Sequence, residues 1–293
     1  STIPISKLPP TSQERLVSSD SKTILYLAYG SNLSAETFKG ARGIKPLSAV
    51  NVHVPNLALT FDLSGIPYTE PCFANTKYRD PENDPPKQSD YHKDRWHKGL
   101  IGVVYEVTPE DYRTVIATEG GGASYEDILV PCYPIQPGGK TVDPHPSGSP
   151  FQAHTLLMPP EKNFKRRTDP SYAQPSARYL KLITDGAEEH ALPSEYLGFL
   201  YNIRPYTITT RKQKMGQVIF MGAWMPLIMA LFGLGRVLAD KDGKIPDWMA
   251  TLMGFFFKVL WTTYDKIFKP MFGDGERTIS KGEDDELGQE NRW

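Results

Sequence analysis

Near its start the chain runs Ile24-Leu25-Tyr26-Leu27-Ala28-Tyr29-Gly30-Ser31-Asn32-Leu33, six apolar or aromatic residues followed at once by a small polar turn. Residues 24–29 are typical of a strand that is buried on both faces. Gly30 allows the backbone to approach a ligand closely, and Ser31 and Asn32 place short polar side chains beside exposed N–H groups. Such a ring of N–H groups favours a bound carboxylate or carbonyl oxygen. An ordinary Gly-Ser-Asn turn explains these three residues equally well.

The composition restricts the classes of protein to which the chain can belong. Its 293 residues, 39% hydrophobic and 23% charged, suffice for one large domain or for one domain with an extension. A formal net charge of −1 gives no general attraction to nucleic acid. Two cysteines, Cys72 and Cys132, exclude a disulfide scaffold and a multi-cysteine zinc site, although one bridge between them stays open. This cysteine content predicts a reducing, cytoplasmic location.

Residues 1–22 are polar and contain Pro9 and Pro10. They lack the profile of a signal peptide, with its basic start and apolar centre, and are predicted to form a flexible N-terminal lead.

A second motif surrounds Glu119. Residues 108–111, Thr-Pro-Glu-Asp, predict a helix start. The hydroxyl residue Thr108 suits the N-cap, Pro109 suits the first helical position, and the acid Asp111 stands three residues after the cap. The helix is expected to end at the three glycines 120–122. Glu119 then lies at the C-terminal end, where the helix dipole disfavours a carboxylate on an ordinary surface. That position makes Glu119 a candidate general acid/base, with an exposed glutamate beside a glycine turn as the alternative.

The remaining segments up to residue 174 are less specific. Alternating apolar residues predict strands at residues 49–61, 99–107, 125–133 and 151–158. Residues 78–98 are rich in Asp, Pro, Lys and His and predict an inserted surface loop. Its histidines, His92 and His97, do not have the spacing for one helix face, so no metal site is predicted. The basic connector 159–174 is interpreted as a solvated face, and nucleic acid is not an expected partner.

A third motif occupies residues 175–196. Leu180, Ile183 and Ala187 have helical spacing, and Leu192-Pro193 opens a second helix. From the pattern alone this is a helix–turn–helix that closes a small α/β core.

Together the three motifs resemble the γ-glutamylcyclotransferase family, in its branch that acts on γ-glutamyl amino acids. The resemblance rests on Tyr29-Gly30-Ser31-Asn32-Leu33, on the Glu119-Gly120 pair after its short helix, and on residues 175–196. It implies an α+β fold, in which a small, mostly antiparallel β-barrel is flanked by helices. It also implies a reaction in which the α-amino group of a γ-glutamyl unit attacks its own γ-carbonyl, releasing 5-oxoproline and an amine.

The same resemblance implies roles for individual residues. Glu119 matches the catalytic glutamate, which takes a proton from the α-ammonium group and delivers it to the leaving nitrogen. The implied substrate-binding residues are the first loop and two tyrosines: Leu27, Ala28, Tyr29, Gly30, Ser31, Asn32, Leu33, Tyr125 and Tyr179. No metal or other cofactor is expected, because closure of a five-membered ring depends mainly on positioning.

Beyond about residue 204 the resemblance ends and the composition changes. Residues 215–235 carry no charged side chain over a length that can span a bilayer, although Pro226 and several glycines interrupt them. Residues 245–268 are amphipathic. Tryptophans flanked by cationic residues in this part of the chain, such as Trp224 and Trp248, are typical of interfacial anchoring.

These features predict the domain organisation. We expect a γ-glutamylcyclotransferase-like domain at residues 23–203, a helical extension at 204–273 docked on it, and a polar tail at 274–293. An apolar face left over within residues 215–270 predicts contact with a membrane surface or with a second copy in a homodimer.

Three functions remain open on the sequence alone. The first is a γ-glutamylcyclotransferase for γ-glutamyl amino acids or peptides. The second keeps the chemistry but acts on a glutathione-derived γ-glutamyl intermediate of a fungal secondary-metabolite pathway, which the apolar extension and the 78–98 insertion would suit. The third is a non-catalytic binding module that works through its tail, against which the placement of Glu119 argues.

Overall fold

The computed structural model describes residues 7–18, 22–82, 96–119, 125–158, 173–240 and 245–279. Its strands are β1 Ile24–Ala28, β2 Ser48–Val54, β3 Leu57–Ile66, β4 Glu70–Tyr78, β5 Leu100–Val107, β6 Glu126–Pro134 and β7 Phe151–Leu157. Five of them form a closed barrel in the order β1-β5-β2-β6-β7. All neighbours in the barrel are antiparallel except β1 and β7, which close it in parallel. The predicted α+β class with a small, mostly antiparallel barrel is confirmed.

The first strand is buried on both faces, as its apolar run predicts. Leu25, Tyr26, Leu27 and Ala28 are all buried, with β5 on one side of the strand and β7 on the other. Every side chain of such a central strand meets the core or a covering element, which explains the absence of apolar–polar alternation.

Two strands stand outside the barrel. The predicted strand region 49–61 divides into β2 and β3, and Pro55 lies in the turn between them, where its missing N–H removes no ladder hydrogen bond. β3 pairs with β4 as a separate antiparallel hairpin.

The helices of the barrel domain are α1 Gln13–Val17, α2 Pro109–Thr118, α3 Ala177–Glu189 and α4 Ser194–Tyr201, with a 3-10 turn at Ser31–Leu33 and a π-helical turn at Glu36–Ala41. α2 begins as predicted, because the Thr108 side chain accepts a hydrogen bond of 3.1 Å from the Asp111 N–H. Ser176 caps α3 in the same way, accepting from the Tyr179 N–H at 3.0 Å. Glu119 is the C-cap of α2.

Part of the predicted flexible lead is ordered. α1 forms within it, Leu16 is buried, and the Thr11 and Ser48 hydroxyl oxygens lie 2.8 Å apart. Arg15 adds a bond of 2.8 Å from its guanidinium to the Thr23 carbonyl oxygen. These contacts tie residues 10–18 to the barrel, which the polar composition did not indicate.

The two predicted helices of the extension are present as α5 Arg211–Leu238 and α6 Asp247–Thr263, followed by a π-helical turn at Tyr264–Phe268 and a short α7 at Lys269–Phe272. Pro226 lies inside α5 without ending it. The helices pack on each other through a buried cluster that includes Phe220, Leu260 and Tyr264.

The extension is attached to the rest of the molecule at the tip of the β3–β4 hairpin. Tyr68 at this tip has a φ of 64°, is 1% exposed, and packs its ring on Phe220 and Tyr264. Its hydroxyl donates to the Gly273 carbonyl oxygen at 2.8 Å, and its N–H donates to the Gly275 carbonyl oxygen at 2.7 Å. One side chain from the barrel domain is therefore a central member of the extension's core.

The residues after α7 differ from the predicted polar tail. Asp274 and Glu276 are buried, and the Glu276 carbonyl oxygen accepts a hydrogen bond of 3.0 Å from the Gln174 N–H. The Asp274 side chain accepts from the N–H groups of Glu276 and Arg277 at 2.8 and 3.0 Å, and its other carboxylate oxygen pairs with Lys269 Nζ at 3.6 Å. Residues 274–279 form a packed return to the barrel domain.

Several predicted segments lie outside the described residues: 83–95 of the insertion with His92, 159–172 of the connector, and 280–293 of the tail. The end of the insertion is anchored by Trp96, whose ring lies 5.0 Å from that of Tyr196. Cys72 and Cys132 are buried free thiols, so the disulfide that the sequence left open is not formed.

Much of the extension's apolar surface is exposed. Val237 is 82% and Trp248 is 56% exposed, and many other large side chains of α5 and α6 are similarly open. Among the described residues, α5 is the one helix long and apolar enough to cross a membrane by length and composition, with 22% of its most apolar window buried. A single helix of this kind is weak support for a membrane span.

Candidate active site

A cavity of about 410 Å³ lies where β1, the end of α2 and the start of α3 meet. This volume is in the range of small-molecule sites. Its polar and glycine lining comes from separate segments of the chain and includes Tyr26, Tyr29, Gly30, Ser31, Asn32, Arg42, Glu119, Tyr125, Arg178 and Tyr179.

Gly30 begins the 3-10 turn that follows β1. A Cβ atom at this position would lie 3.3 Å from both the Tyr179 hydroxyl and the Ala74 Cβ. Glycine therefore allows the loop to approach α3 and β4 closely.

Gly186 fixes the same loop from the other side. A Cβ atom on this residue of α3 would lie 2.3 Å from the Leu33 carbonyl carbon and 2.4 Å from the Ser34 nitrogen. Only glycine permits this contact between a helix and a loop backbone. The contact holds the 3-10 turn against the helix that carries Tyr179.

The Glu119 carboxylate faces the cavity and is held by two side chains. Its Oε1 accepts a hydrogen bond of 2.9 Å from Asn32 Nδ2 and forms an ion pair with the Arg42 guanidinium. The Arg42 and Glu119 side chains are 11% and 23% exposed, so the pair is largely shielded from water. Arg42 supplies the positive charge that compensates for a carboxylate at the negative end of α2.

Asn32 is fixed in orientation and leaves one atom for a ligand. Its Nδ2 donates both to Glu119 and to the Tyr26 hydroxyl at 2.8 Å, so its other amide atom, Oδ1, is an acceptor. Oδ1 is buried and has no hydrogen-bond partner among the described residues. A buried polar atom without a partner is rare, and an ammonium group of a ligand would satisfy this one.

Three tyrosines surround the carboxylate as neutral hydrogen-bonding groups. Burial, reinforced by the charge of Glu119, raises the pKa of Tyr26, Tyr125 and Tyr179 well above the ordinary phenol value. The Tyr179 hydroxyl accepts from the Ala74 N–H at 3.1 Å and also hydrogen-bonds with Ser31. The Tyr29 hydroxyl instead donates to the Leu156 carbonyl oxygen at 2.8 Å.

The structure brings together most of the residues named from the sequence. Glu119 lies in one cavity with six of the predicted binding residues: Tyr29, Gly30, Ser31, Asn32, Tyr125 and Tyr179. Leu27, Ala28 and Leu33 do not line it. Their side chains are fully buried in the barrel core, because β1 is covered on both faces and Leu33 packs under α3.

Several cavity residues were not predicted from the sequence, among them Arg42, Tyr26 and Arg178. Arg42 follows the π-helical turn within Lys39-Gly40-Ala41-Arg42-Gly43, and a cation between two glycines was the only local signal. Tyr26 lies in the middle of a buried strand, and no local sequence signal marked it as a cavity residue. Within the described ranges, no group of three or more His, Cys, Asp or Glu side chains is arranged to hold a metal ion.

Comparisons with known proteins place the chain among named relatives. Residues 210–271 match the family model described as the AclK C-terminal domain. The gamma-glutamyl cyclotransferase gliK of Aspergillus fumigatus is 33% identical over 255 residues, covering 86% of this chain and 89% of the relative. The gamma-glutamyl cyclotransferase aclK of Aspergillus oryzae is 31% identical over 267 residues, covering 87% and 90%.

Solved structures show weaker similarity. One described as a gamma-glutamyl cyclotransferase has 22% identity and a TM-score of 0.45, covering 64% of this chain and 92% of its own. A yeast enzyme specific to glutathione has 14% identity and a TM-score of 0.37, covering 62% and 96%. Similarities at this level do not assign a substrate to this chain.

Proposed function

The chain belongs to the gamma-glutamyl cyclotransferase family and is an enzyme of that type, and from this premise we propose that it releases 5-oxoproline from a γ-glutamyl compound with Glu119 as general acid/base. The main support is the Glu119 carboxylate itself, which Asn32 and Arg42 hold at the wall of a polar cavity.

The proposed reaction needs a single proton carrier. Glu119 takes a proton from the α-ammonium group of the γ-glutamyl unit, and the freed amine attacks the γ-carbonyl carbon. The new C–N bond closes the five-membered ring while the old amide C–N bond breaks. Glu119 then gives its proton to the leaving nitrogen and carries the second proton lost by the attacking nitrogen to it in the same way, so that 5-oxoproline and the protonated amine are released and the carboxylate is restored.

The other cavity residues have positioning roles in this proposal. Asn32 Oδ1 accepts from the α-ammonium group and holds it near Glu119. The loop of Gly30 and Ser31 binds the glutamyl carboxylate, while the Tyr125 and Tyr179 hydroxyls orient the amide. Fixing the attacking nitrogen and the carbonyl carbon in one conformation replaces the need for a metal or other cofactor.

The direct test is detection of 5-oxoproline by mass spectrometry after incubating the protein with a panel of γ-glutamyl amino acids and peptides. We expect release from at least one compound, with the matching amine in equal amount. Glutamate appearing in place of 5-oxoproline would mean that water, and not the α-amino group, attacks the carbonyl, and would contradict the proposal.

A second candidate keeps this chemistry and changes the substrate to a glutathione-derived γ-glutamyl intermediate with a large apolar part. The observation that favours it is the extension, whose residues 210–271 match the AclK C-terminal domain. S-aryl conjugates of glutathione and of γ-glutamylcysteine therefore belong in the panel. A non-catalytic role is set aside, because the relatives over nearly the whole chain are named cyclotransferases.

We also propose that the exposed apolar face of the extension contacts a membrane surface. Val218, Val237 and Trp248 are each more than half exposed, and Arg211, Lys212 and Lys214 stand at one end of α5. Apolar and cationic residues in this combination suit the headgroup region of a bilayer. We expect the protein to sediment with anionic vesicles and Val237→Ser/Trp248→Ser to weaken this. A stable dimer by analytical ultracentrifugation without vesicle binding would assign the face to a second copy instead.

A further inference from the structure

A second cavity, of about 380 Å³, lies beside the first. Leu63, Phe73, Glu119 and Tyr125 line both cavities. Because the same residue lines each of them, Glu119 stands at their junction. A ligand held in one cavity with its reacting bond at Glu119 continues into the other.

The two cavities differ in chemistry. The first contains Arg42, Arg178 and a set of hydroxyl and amide groups. Among the described residues that line the second, Glu119 is the single charged one. The rest of the second lining is mostly apolar. Its outer wall comes from the extension, as Phe232 of α5 and Met253 and Phe257 of α6.

We propose that the second cavity is the subsite for the leaving amine, and that the substrate is a γ-glutamyl amide whose amine carries a large apolar or aromatic group. This assignment rests on the proposed function, which places the glutamyl unit in the first cavity and the scissile amide at Glu119. The amine then extends past Glu119 between the barrel and the extension. A small amino acid with a free carboxylate would lose hydration there without gaining an ionic partner.

The side chains that the extension contributes to the second cavity already pack against one another. The rings of Phe232 and Phe257 lie edge to face with centroids 6.3 Å apart. Phe232 is 45% exposed, whereas Met253 is buried. An exposed aromatic ring at the rim of an apolar cavity gains burial when an apolar group enters, at about 25 cal/mol per Å² of area removed from water.

The experiment compares two substrates of the same chemistry, γ-glutamyl-2-naphthylamide and γ-glutamylglycine, by the 5-oxoproline that each releases. The variant is Phe232→Ala/Phe257→Ala in the full chain. Its control is Met229→Ala/Phe255→Ala, two apolar residues of the same helices that are 67% and 64% exposed and line neither cavity. Thermal unfolding of all proteins shows whether the fold is kept, and Phe257→Leu tests rescue by another apolar side chain.

For the wild type we expect a higher kcat/KM with the naphthylamide than with γ-glutamylglycine. The Phe232→Ala/Phe257→Ala variant should lose about 10–100-fold on the naphthylamide and little on γ-glutamylglycine, the range that apolar pocket contacts provide. The control should keep the wild-type ratio and Phe257→Leu most of it. An unchanged ratio in the folded cavity variant would overturn the subsite and leave the proposed function standing. Failure of the wild type to release 5-oxoproline from either compound would overturn both.

Discussion

The barrel cavity shields polar side chains from water, whereas the C-terminal extension exposes apolar side chains to it. In the cavity Asn32, Arg42 and Glu119 are largely shielded from water, and the first two are both bonded to the Glu119 carboxylate. On the extension Val237 and Phe255 stand in solvent at 82% and 64% exposure. Shielded polar groups with an unused acceptor suit a small polar ligand, and exposed apolar groups suit an apolar one. The comparison indicates two surfaces of different chemistry in one molecule: a polar cavity lined by Glu119 and an exposed apolar face on the extension.

The polar half of this comparison depends on one carboxylate, and replacing it has the largest expected effect. Glu119→Gln keeps the size of the side chain but removes the proton carrier, so turnover should fall by about 10²–10⁴-fold. The measurement is the rate of 5-oxoproline release at saturating substrate. Glu110→Gln, an exposed acid in the first turn of the same helix, is the matched control and should be near wild type. Comparable turnover in the two variants would remove Glu119 from the mechanism.

The attachment of the extension to the barrel domain depends on Tyr68. Tyr68→Ala removes a fully buried ring and its hydrogen bonds from the core of the extension, and we expect a loss of about 3–5 kcal/mol in the free energy of unfolding. Urea denaturation followed by tryptophan fluorescence measures it. Tyr78→Ala, at the exposed end of the same hairpin, is the control. Equal losses in both variants would show that the hairpin tip does not hold the extension.

Gly30 tests the close approach of the loop to α3. Gly30→Val places a branched side chain within 3.3 Å of the Tyr179 hydroxyl and the Ala74 Cβ, so the loop and Tyr179 must separate. We expect affinity for a γ-glutamyl ligand to fall by about 10–100-fold, the equivalent of an overpacking cost of about 1–3 kcal/mol. Calorimetric titration in the Glu119→Gln background measures binding without turnover. Gly30→Ala should give a smaller loss, and unchanged affinity with valine would show that the loop does not bind substrate.

Acid should destabilise the barrel region through the buried His53 and the partly buried His190. Burial lowers the pKa of His53 and of His190 to about 4, from an ordinary value of 6.5. Between these values the unfolded chain binds more protons than the folded one, so stability is complete above about pH 6.5 and is lost as the pH falls toward 4. Allowing for partial solvent access, we expect about 1–2 kcal/mol for each histidine.

The measurement is the free energy of unfolding by urea at several pH values. His53→Asn should show a shallower dependence than the wild type, because one group that gains a proton on unfolding is gone. No histidine follows His190 in the sequence, so the extension contributes no histidine to this dependence. A stability that is constant between pH 6.5 and 5 would contradict the histidine assignment.

Local signals made a large part of the fold predictable. The apolar run before Gly30, the Thr108-Pro109 helix start and the spacing of Leu180 and Ile183 act within a few residues, and each element lies where it was expected. The resemblance then implied how these elements meet, and the structure gathers Glu119 and six of the nine predicted binding residues in one cavity.

What the sequence did not reveal depends on long-range contacts. Arg42 reaches Glu119 only because the π-helical turn brings the chain back to the end of α2. An alternating pattern marks β3 as a strand but not its partner, so its place outside the barrel was not predictable. Tyr68 belongs to the core of a segment more than a hundred residues away. The second cavity likewise exists only between segments that are distant in the chain.

The buried return at residues 274–279 makes the extension a closed loop and not a free end. The Tyr206 N–H donates to the Pro175 carbonyl oxygen at 2.8 Å, and the Gln174 N–H donates to the Glu276 carbonyl oxygen at 3.0 Å. The chain thus leaves the barrel domain and comes back at two consecutive residues, and Thr207 and Thr278 are themselves bonded at 2.8 Å. Topologically the helices form an inserted cassette, because hydrogen bonds hold both ends of this segment at the same place on the barrel domain. A short linker from residue 207 to residue 278 would excise the cassette without pulling the barrel open, and another insert with adjacent ends could take its position.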